Sequence, residues 1–254
     1  MECFIGFMIA FFISLTGVGA GTITVPVLVL ILGVPARVAV GLGLTFSAVV
    51  KLILAPAQIA RKNVAWPTLG YMVLGGVPGV LVGSFLLKQM VSAGSQSLLN
   101  VILGLILVTI ASWQIVFMIY RTRDLEKAKD RSRWMPWLML PVGAEVGFSS
   151  AGAGALGNAA LLSLTPLTPS EVVGTDIVFG LILSLVGSGA HWFSWGMEQS
   201  LLLHLIEGGI GGAVVGTMLS RSIPRRPLRF ALWVWILFLG ENIVLSNFHG
   251  LIQR

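Results

Sequence analysis

Two glycine clusters carry the first chemical signal in the chain. Gly17-Val18-Gly19-Ala20-Gly21 and Gly152-Ala153-Gly154 each interrupt an apolar run of about 30 residues. Short polar side chains lie beside both breaks, Thr22 and Thr24 at the first and Ser149, Ser150 and Asn158 at the second. A helix that starts at Gly21 or Gly154 presents unpaired backbone N–H groups and the positive end of its dipole, which suits an anion. Gly19, Gly21, Thr22, Gly152, Gly154 and Asn158 are therefore candidate anion ligands. The competing reading is that small residues here only let helices approach closely.

Ionisable residues inside apolar segments are the second signal. Lys51 lies about fourteen residues into the segment that starts at Val38, where an ammonium needs a partner or an aqueous cavity. It is a candidate anion ligand, unless it reaches back to an interface near Pro56 and Gln58. The acids Glu145, Asp176, Glu207 and Glu241 all fall in apolar segments of the second half, and the first half has no counterpart. Asp176 and Glu207 are candidates for a proton relay or for pairing with Lys51; the alternative is a structural ion pair or hydrogen bond. His191, followed by Trp192 and Trp195, is a further proton-coupling candidate or a member of an interfacial aromatic belt.

Other chemistries find no foothold. The single cysteine, Cys3, can form neither an internal disulfide nor a metal cluster. The sequence contains no His-Glu-x-x-His, no Gly-x-Ser-x-Gly and no P-loop. An intramembrane aspartyl enzyme needs a second aspartate beside Asp176, and neither a metal nor a cofactor is expected.

The elements that must position these residues follow from composition. Of 254 residues 56% are hydrophobic and 10% charged, against about a quarter charged in soluble domains. The apolar runs are Phe4 to Leu32, Val38 to Ala60, Trp66 to Leu87, Leu98 to Tyr120, Trp134 to Leu164, Val172 to Trp195, Leu201 to Leu219 and Leu228 to Ser246. Most match the roughly 20 residues that cross a hydrocarbon core. The first and fifth are the long, broken ones, and backbone breaks at membrane depth are tolerated only against protein or a water-filled cavity. The start Met1-Glu2-Cys3 has no basic region ahead of its apolar run, so it reads as mature structure and not as a cleaved signal.

Sliding Gly17–Lys88 by 133 positions onto Ser150–Arg221 superposes seven glycines: Gly19, Gly21, Gly41, Gly75, Gly76, Gly79 and Gly83 meet Gly152, Gly154, Gly174, Gly208, Gly209, Gly212 and Gly216. Glycine density alone predicts about two, so two structural repeats are expected. They are residues 1–120 and 134–254, joined by the charged linker 121–133. Gly75, Gly79 and Gly83, with their counterparts, form small-xxx-small stripes assigned to packing.

The basic residues set the topology. If both broken segments are re-entrant, twelve of them, Arg61, Lys62, six in the linker and four from Arg221 to Arg229, share one side. Arg37, Lys88 and Arg254 then lie opposite. Full crossings give only nine against six. The expected architecture is thus an all-α polytopic membrane protein of two inverted repeats, each a re-entrant helical hairpin plus three transmembrane helices. The linker is cytoplasmic and both termini lie outside. The formal charge of +6 then reports topology and not nucleic-acid binding.

At Gly17 to Gly21 followed by Val25-Pro26, at Gly152 to Gly154, at Gly174-Thr175-Asp176, and at His191 with Trp195-Gly196, the chain resembles the sulfite exporter TauE/SafE family of membrane permeases. Ala20 stands where a further glycine is more usual, and Pro26 meets Ala159 in the second half. The resemblance spans nearly the whole chain. It implies a bacterial inner-membrane secondary transporter of small sulfur-containing anions such as sulfite or organosulfonates. The expected partners are that anion and membrane lipid, with a homo-oligomer compatible. A membrane scaffold without transport activity and an anion channel are the rivals.

Overall fold

A computed structural model of the chain describes residues 1–92, 96–120, 130–191, 199–219 and 225–252. Residues 121–129 of the expected linker, together with Trp192, Trp195, Gly196, Arg221 and Arg254, lie outside the described residues. Those described are helical almost throughout, without a strand. The order is α1 (Glu2–Thr16), α2 (Ala20–Leu30), α3 (Ala36–Ala60), α4 (Trp66–Ser92), α5 (Gln96–Tyr120), α6 (Met135–Ser149), α7 (Ala153–Leu164), α8 (Pro169–Ala190), α9 (Gln199–Leu219) and α10 (Arg225–Ile252). In lipid every backbone N–H and C=O needs an internal partner, and helices supply it. Among the described residues six helices, α3, α4, α5, α8, α9 and α10, are long and apolar enough to cross a membrane. The protein is a multi-pass membrane protein.

The two long segments break where the glycines stand. α1 ends at Gly17, whose φ is +67°, and α6 ends at Ser150, whose φ is +66°. These positions are 133 residues apart, and both use the left-handed conformation that ends a helix. Glycine adopts it freely, whereas Ser150 is one of the uncommon non-glycine residues there. α2 and α7 then restart, so that Gly21 and Gly154 fall in their first turns. The two ends of each broken segment lie near one another. The Arg131 N–H, just ahead of α6, donates to the Leu164 carbonyl at the end of α7 at 2.7 Å. Phe4 and Ile5 from the start of α1 and Ile31 beyond the end of α2 line one apolar groove of about 410 Å³.

Glycine ladders fix the packing. Cβ atoms on Gly75, Gly79 and Gly83 of α4 would fall on the backbone of Pro136, Leu140 and Ala144 of α6. On Gly208, Gly212 and Gly216 of α9 they would fall on the backbone of Cys3, Phe7 and Phe11 of α1. Every residue of one ladder is displaced by 133 from its counterpart in the other, and both pairs run parallel. Gly76 against the Phe179 ring and Gly209 against the Phe46 ring repeat the same offset. Lipid gives helices no hydrophobic reason to associate, so dispersion between closely approached backbones supplies it.

α3 is the most enclosed of the spanning helices, with 83% of its apolar window buried. It runs antiparallel to α8, with Thr45 Oγ1 2.9 Å from Ser188 Oγ and Ser47 Oγ 2.9 Å from Ser184 Oγ. α5 and α10 are antiparallel as well. Asn100 donates to Asn247 at 2.9 Å, and further along Gly104 lies against Gly240 and Ile243. α8 begins with a capping box in which the Thr168 backbone N–H donates to Glu171 at 2.8 Å.

Candidate anion-binding site

The starts of α2 and α7 face each other in the centre of the bundle. A Cβ on Gly19 would lie 3.1 Å from the Gly154 nitrogen, and one on Gly154 2.5 Å from the Gly19 nitrogen. Gly21 is pressed in the same way against the Ser150 carbonyl and hydroxyl. Thr22 Oγ1 donates to the Ala151 carbonyl at 2.5 Å and ties the two breaks together. Two positive helix ends thus converge at one point, an arrangement that an anion relieves.

A cavity of about 100 Å³ opens beside this point. Its lining includes Gly17 and Gly19 of the first break, Gly154 of the second, and the charged residues Lys51, Arg61, Asp176 and Arg229. Three cations stand against one acid, so the cavity favours negative charge. Lys51 and Asp176 are both buried, with 6% and 4% exposure, and Arg61 at the end of α3 is exposed. The cavity therefore reaches from the half-helix starts to the Arg61 end of the bundle.

The two buried charges are held by glycines as much as by partners. Lys51 Nζ donates to Ser184 Oγ at 3.4 Å, and it occupies the space that a Cβ on Gly180 would take. Asp176 Oδ2 accepts from Asn158 Nδ2 at 3.1 Å, while the same amide donates to the Gly154 carbonyl at 2.5 Å. Asp176 Oδ1 sits where Gly157 has no side chain, and it has no hydrogen-bond partner among the described residues. Lys51 and Arg229 are both near enough to act on the Asp176 charge. Ser14 Oγ, also in the lining residues, has no hydrogen-bond partner either. The site thus offers an ammonium, two guanidinium groups, a free hydroxyl and one carboxylate with an open lone pair.

Of the residues singled out in the sequence, Gly19, Lys51, Gly154 and Asp176 line this cavity. Asn158 stands behind it through Asp176, and Gly21 and Thr22 join the two broken segments. Gly152 makes room for the Glu145 carboxylate, which accepts a hydrogen bond from Ser149. Glu207 is elsewhere. It is exposed on α9 with its Oε2 3.8 Å from Cys3 Sγ, because Gly208 and Gly209 turn toward α1 and Phe46 and leave it on the outer face. His191 is buried in a different cavity, its Nε2 3.1 Å from the Gly147 carbonyl oxygen. Arg61, Arg229, Gly157, Gly180 and Ser184 escaped the sequence reading. The arginines were legible only as topology charges, while the glycines could have been marked as partners of buried charges only with the packing known.

Comparison with known proteins now bears on this geometry. A model of the family "Sulfite exporter TauE/SafE" matches residues 3–243. The chain belongs to the sulfite exporter TauE/SafE family. That match covers both broken segments, the spanning helices α3, α4, α5, α8 and α9 and most of α10, so TauE/SafE membership extends over nearly the whole chain and not over one motif. A curated relative, the "Probable membrane transporter protein YjnA" of Bacillus subtilis (strain 168), is 25% identical over 256 residues, covering 94% of this chain and 97% of its own. No solved structure matches. Family and relative together make this TauE/SafE member a membrane permease, a class not generally enzymatic.

Proposed function

We propose that the chain is a secondary transporter of small sulfur-containing anions such as sulfite or organosulfonates, bound between the starts of α2 and α7. The observation that carries this is the cavity in which Lys51, Arg61 and Arg229 meet Gly19 and Gly154 with a single acid, Asp176. A site built on two helix N-termini and discontinuous helices at mid-bundle is a recurrent transporter construction. A scaffold explains the ladders of α4 and α9 by packing alone. It leaves unexplained why Gly157 and Gly180 face a buried carboxylate and a buried ammonium.

The Asp176 carboxylate is the proton carrier in this proposal. Protonated, it stops competing with the substrate for Lys51 and Arg229, so proton and anion bind together; ionised, it reclaims the cations and the anion leaves. His191 and Glu207 lie outside this step.

The fold proposed with it is two inverted repeats. Equivalent helices α3 and α8 run antiparallel, as do α5 and α10, which a two-fold axis across the helices produces and an axis along them does not. α8 runs parallel to α4, with Phe179 and Leu183 beside Gly76 and Gly187 beside Val80, and α6 also runs parallel to α4. These directions support a return of the chain between α6 and α8, as in a re-entrant α6–α7 hairpin. The excess of basic residues supports a cytoplasmic Arg61 end and central linker in a bacterial inner membrane, with both termini outside.

The test is flux of sulfite and of a sulfonate into liposomes holding the purified protein, with and without an imposed pH gradient. Saturable flux that the gradient accelerates is expected from the native protein, and Asp176→Asn keeps flux but loses the acceleration. Saturable flux indifferent to the gradient in both removes the coupling, and the absence of any saturable anion flux overturns the transporter.

A further inference from the structure

A second and larger cavity, of about 580 Å³, lies at the other end of the bundle and is bordered by Arg37, Ser84, Phe85, Lys88, Ala190 and His191. The 133-residue offset relates it to the anion cavity. Ser84, Ala190 and His191 correspond to Thr217, Ala57 and Gln58, and all three of those line the anion cavity. The two cavities thus share three equivalent lining positions at opposite ends of the bundle.

What differs is the state of one carbonyl. At the Lys88 end, Ser84 Oγ donates to the Gly147 carbonyl at 3.4 Å, and His191 Nε2 lies 3.1 Å from the same oxygen. α4, α6 and α8 are drawn together there. At the Arg61 end the equivalents are Thr217, Gln58 and, in place of Gly147, Ser14. Gln58, in the place of His191, turns to its own chain end, its Oε1 accepting from Asn63 Nδ2 at 3.0 Å. Among the described residues the contact by which His191 joins α8 to α6 thus has no counterpart at Gln58.

We propose that the larger cavity is the second mouth of the transport path, an oxyanion site at Arg37 and Lys88 shut off from the central site by Ser84 and His191 on the Gly147 carbonyl. The proposal rests on the transporter reading and adds the gate to it. Arg37 and Lys88 are the charged residues of its lining, so the mouth attracts the same class of ligand as the central cavity. His191 acts as a positioning residue that holds α8 against α6. Transport requires its bond to open while Gln58, its counterpart, leaves Asn63 to close the Arg61 end. Small discrete rearrangements between packed helices are the usual vehicle of such switching.

Thiol accessibility tests this without knowledge of the cargo. In a Cys3→Ser background, Leu54→Cys places one thiol in the lining of the central cavity. An impermeant, anionic methanethiosulfonate is applied to oriented membranes from either end. Leu54→Cys is expected to react readily from the Arg61 end and slowly from the Lys88 end. His191→Ala raises the second rate by about 2–10-fold, as loss of one hydrogen bond predicts. His191→Gln, which still donates to Gly147, restores the slow rate. Reaction from the Arg61 end reports that each variant is folded. A rate from the Lys88 end that His191→Ala leaves unchanged, or that His191→Gln raises equally, overturns the gate.

The oxyanion site has its own arm. Sulfite is expected to slow labelling of Leu81→Cys in the larger cavity at constant lipid composition, and Lys88→Gln removes that protection. Protection that appears only when anionic phospholipid is added assigns the mouth to lipid headgroups and overturns the site. Because labelling reads access and not cargo, absent sulfite flux with an intact gate refutes the sulfur anion and leaves the gate standing.

Discussion

Replacing Lys51 by glutamine removes the one buried ammonium of the central cavity while preserving a polar side chain of similar reach. Its present hydrogen bond, to Ser184 Oγ at 3.4 Å, is long, so little of its donor capacity is committed within the protein. A bound anion would take a charge-assisted bond worth about 1.5–3 kcal/mol net. At 1.4 kcal/mol per decade this is roughly a 10–150-fold loss of affinity. A bare Coulomb estimate for a unit charge at 4 Å and an effective dielectric constant of 20 gives about 4 kcal/mol. Arg61 and Arg229 remain in the lining and the cavity reaches solvent, which favours the lower figure. Folding should survive, since Asp176 keeps Asn158 as a partner and Arg229 within range of its charge. Lys51→Gln is therefore expected to raise the apparent KM for sulfite flux in proteoliposomes by about 10–150-fold with the melting temperature nearly unchanged. A KM within about twofold of native, in a protein that melts normally, would refute the assignment of Lys51 to the anion.

The glycines supply two further predictions. Gly180→Ala puts a methyl where the Lys51 ammonium sits, and the tip of that flexible side chain yields easily; a raised KM with a stability change below about 1 kcal/mol is expected from flux and thermal unfolding. Gly79→Leu is the opposite case, because its side chain would strike the Leu140 carbonyl and the backbone of Gly143 and Ala144; a loss above about 3 kcal/mol and a steep fall in the folded yield in detergent are expected, and normal melting would contradict the ladder.

Much of this protein is legible without coordinates. Hydropathy is a local property, and lipid admits only helices and closed barrels, so the apolar segments follow from composition and length, while the expectation of six full crossings needed the distribution of the basic residues. The first break is also local, because Gly17 has no Cβ to oppose a left-handed turn; Ser150, its equivalent, adopts the same turn without glycine, so the packing around it imposes the conformation there. The 133-residue offset foretold more than repetition, since the ladders of α4 on α6 and α9 on α1 obey it residue by residue.

Which side chains meet was decided by packing alone. Along a helix one residue changes direction by about 100°, so the rotation of α9 that seats Gly208 on α1 and Gly209 on Phe46 carries Glu207 to the outer face. The same logic brings Lys51 and Asp176, 125 positions apart, to one cavity and places His191 in its counterpart. The halves even differ at equivalent places: Val25 packs on Gly43 in the first, where Asn158 holds Asp176 in the second. Sequence carries the period and the polarity of each helix, but the angle at which a helix faces its neighbours depends on every contact it makes. Only the assembled bundle sets that angle, and with it the chemistry of the site.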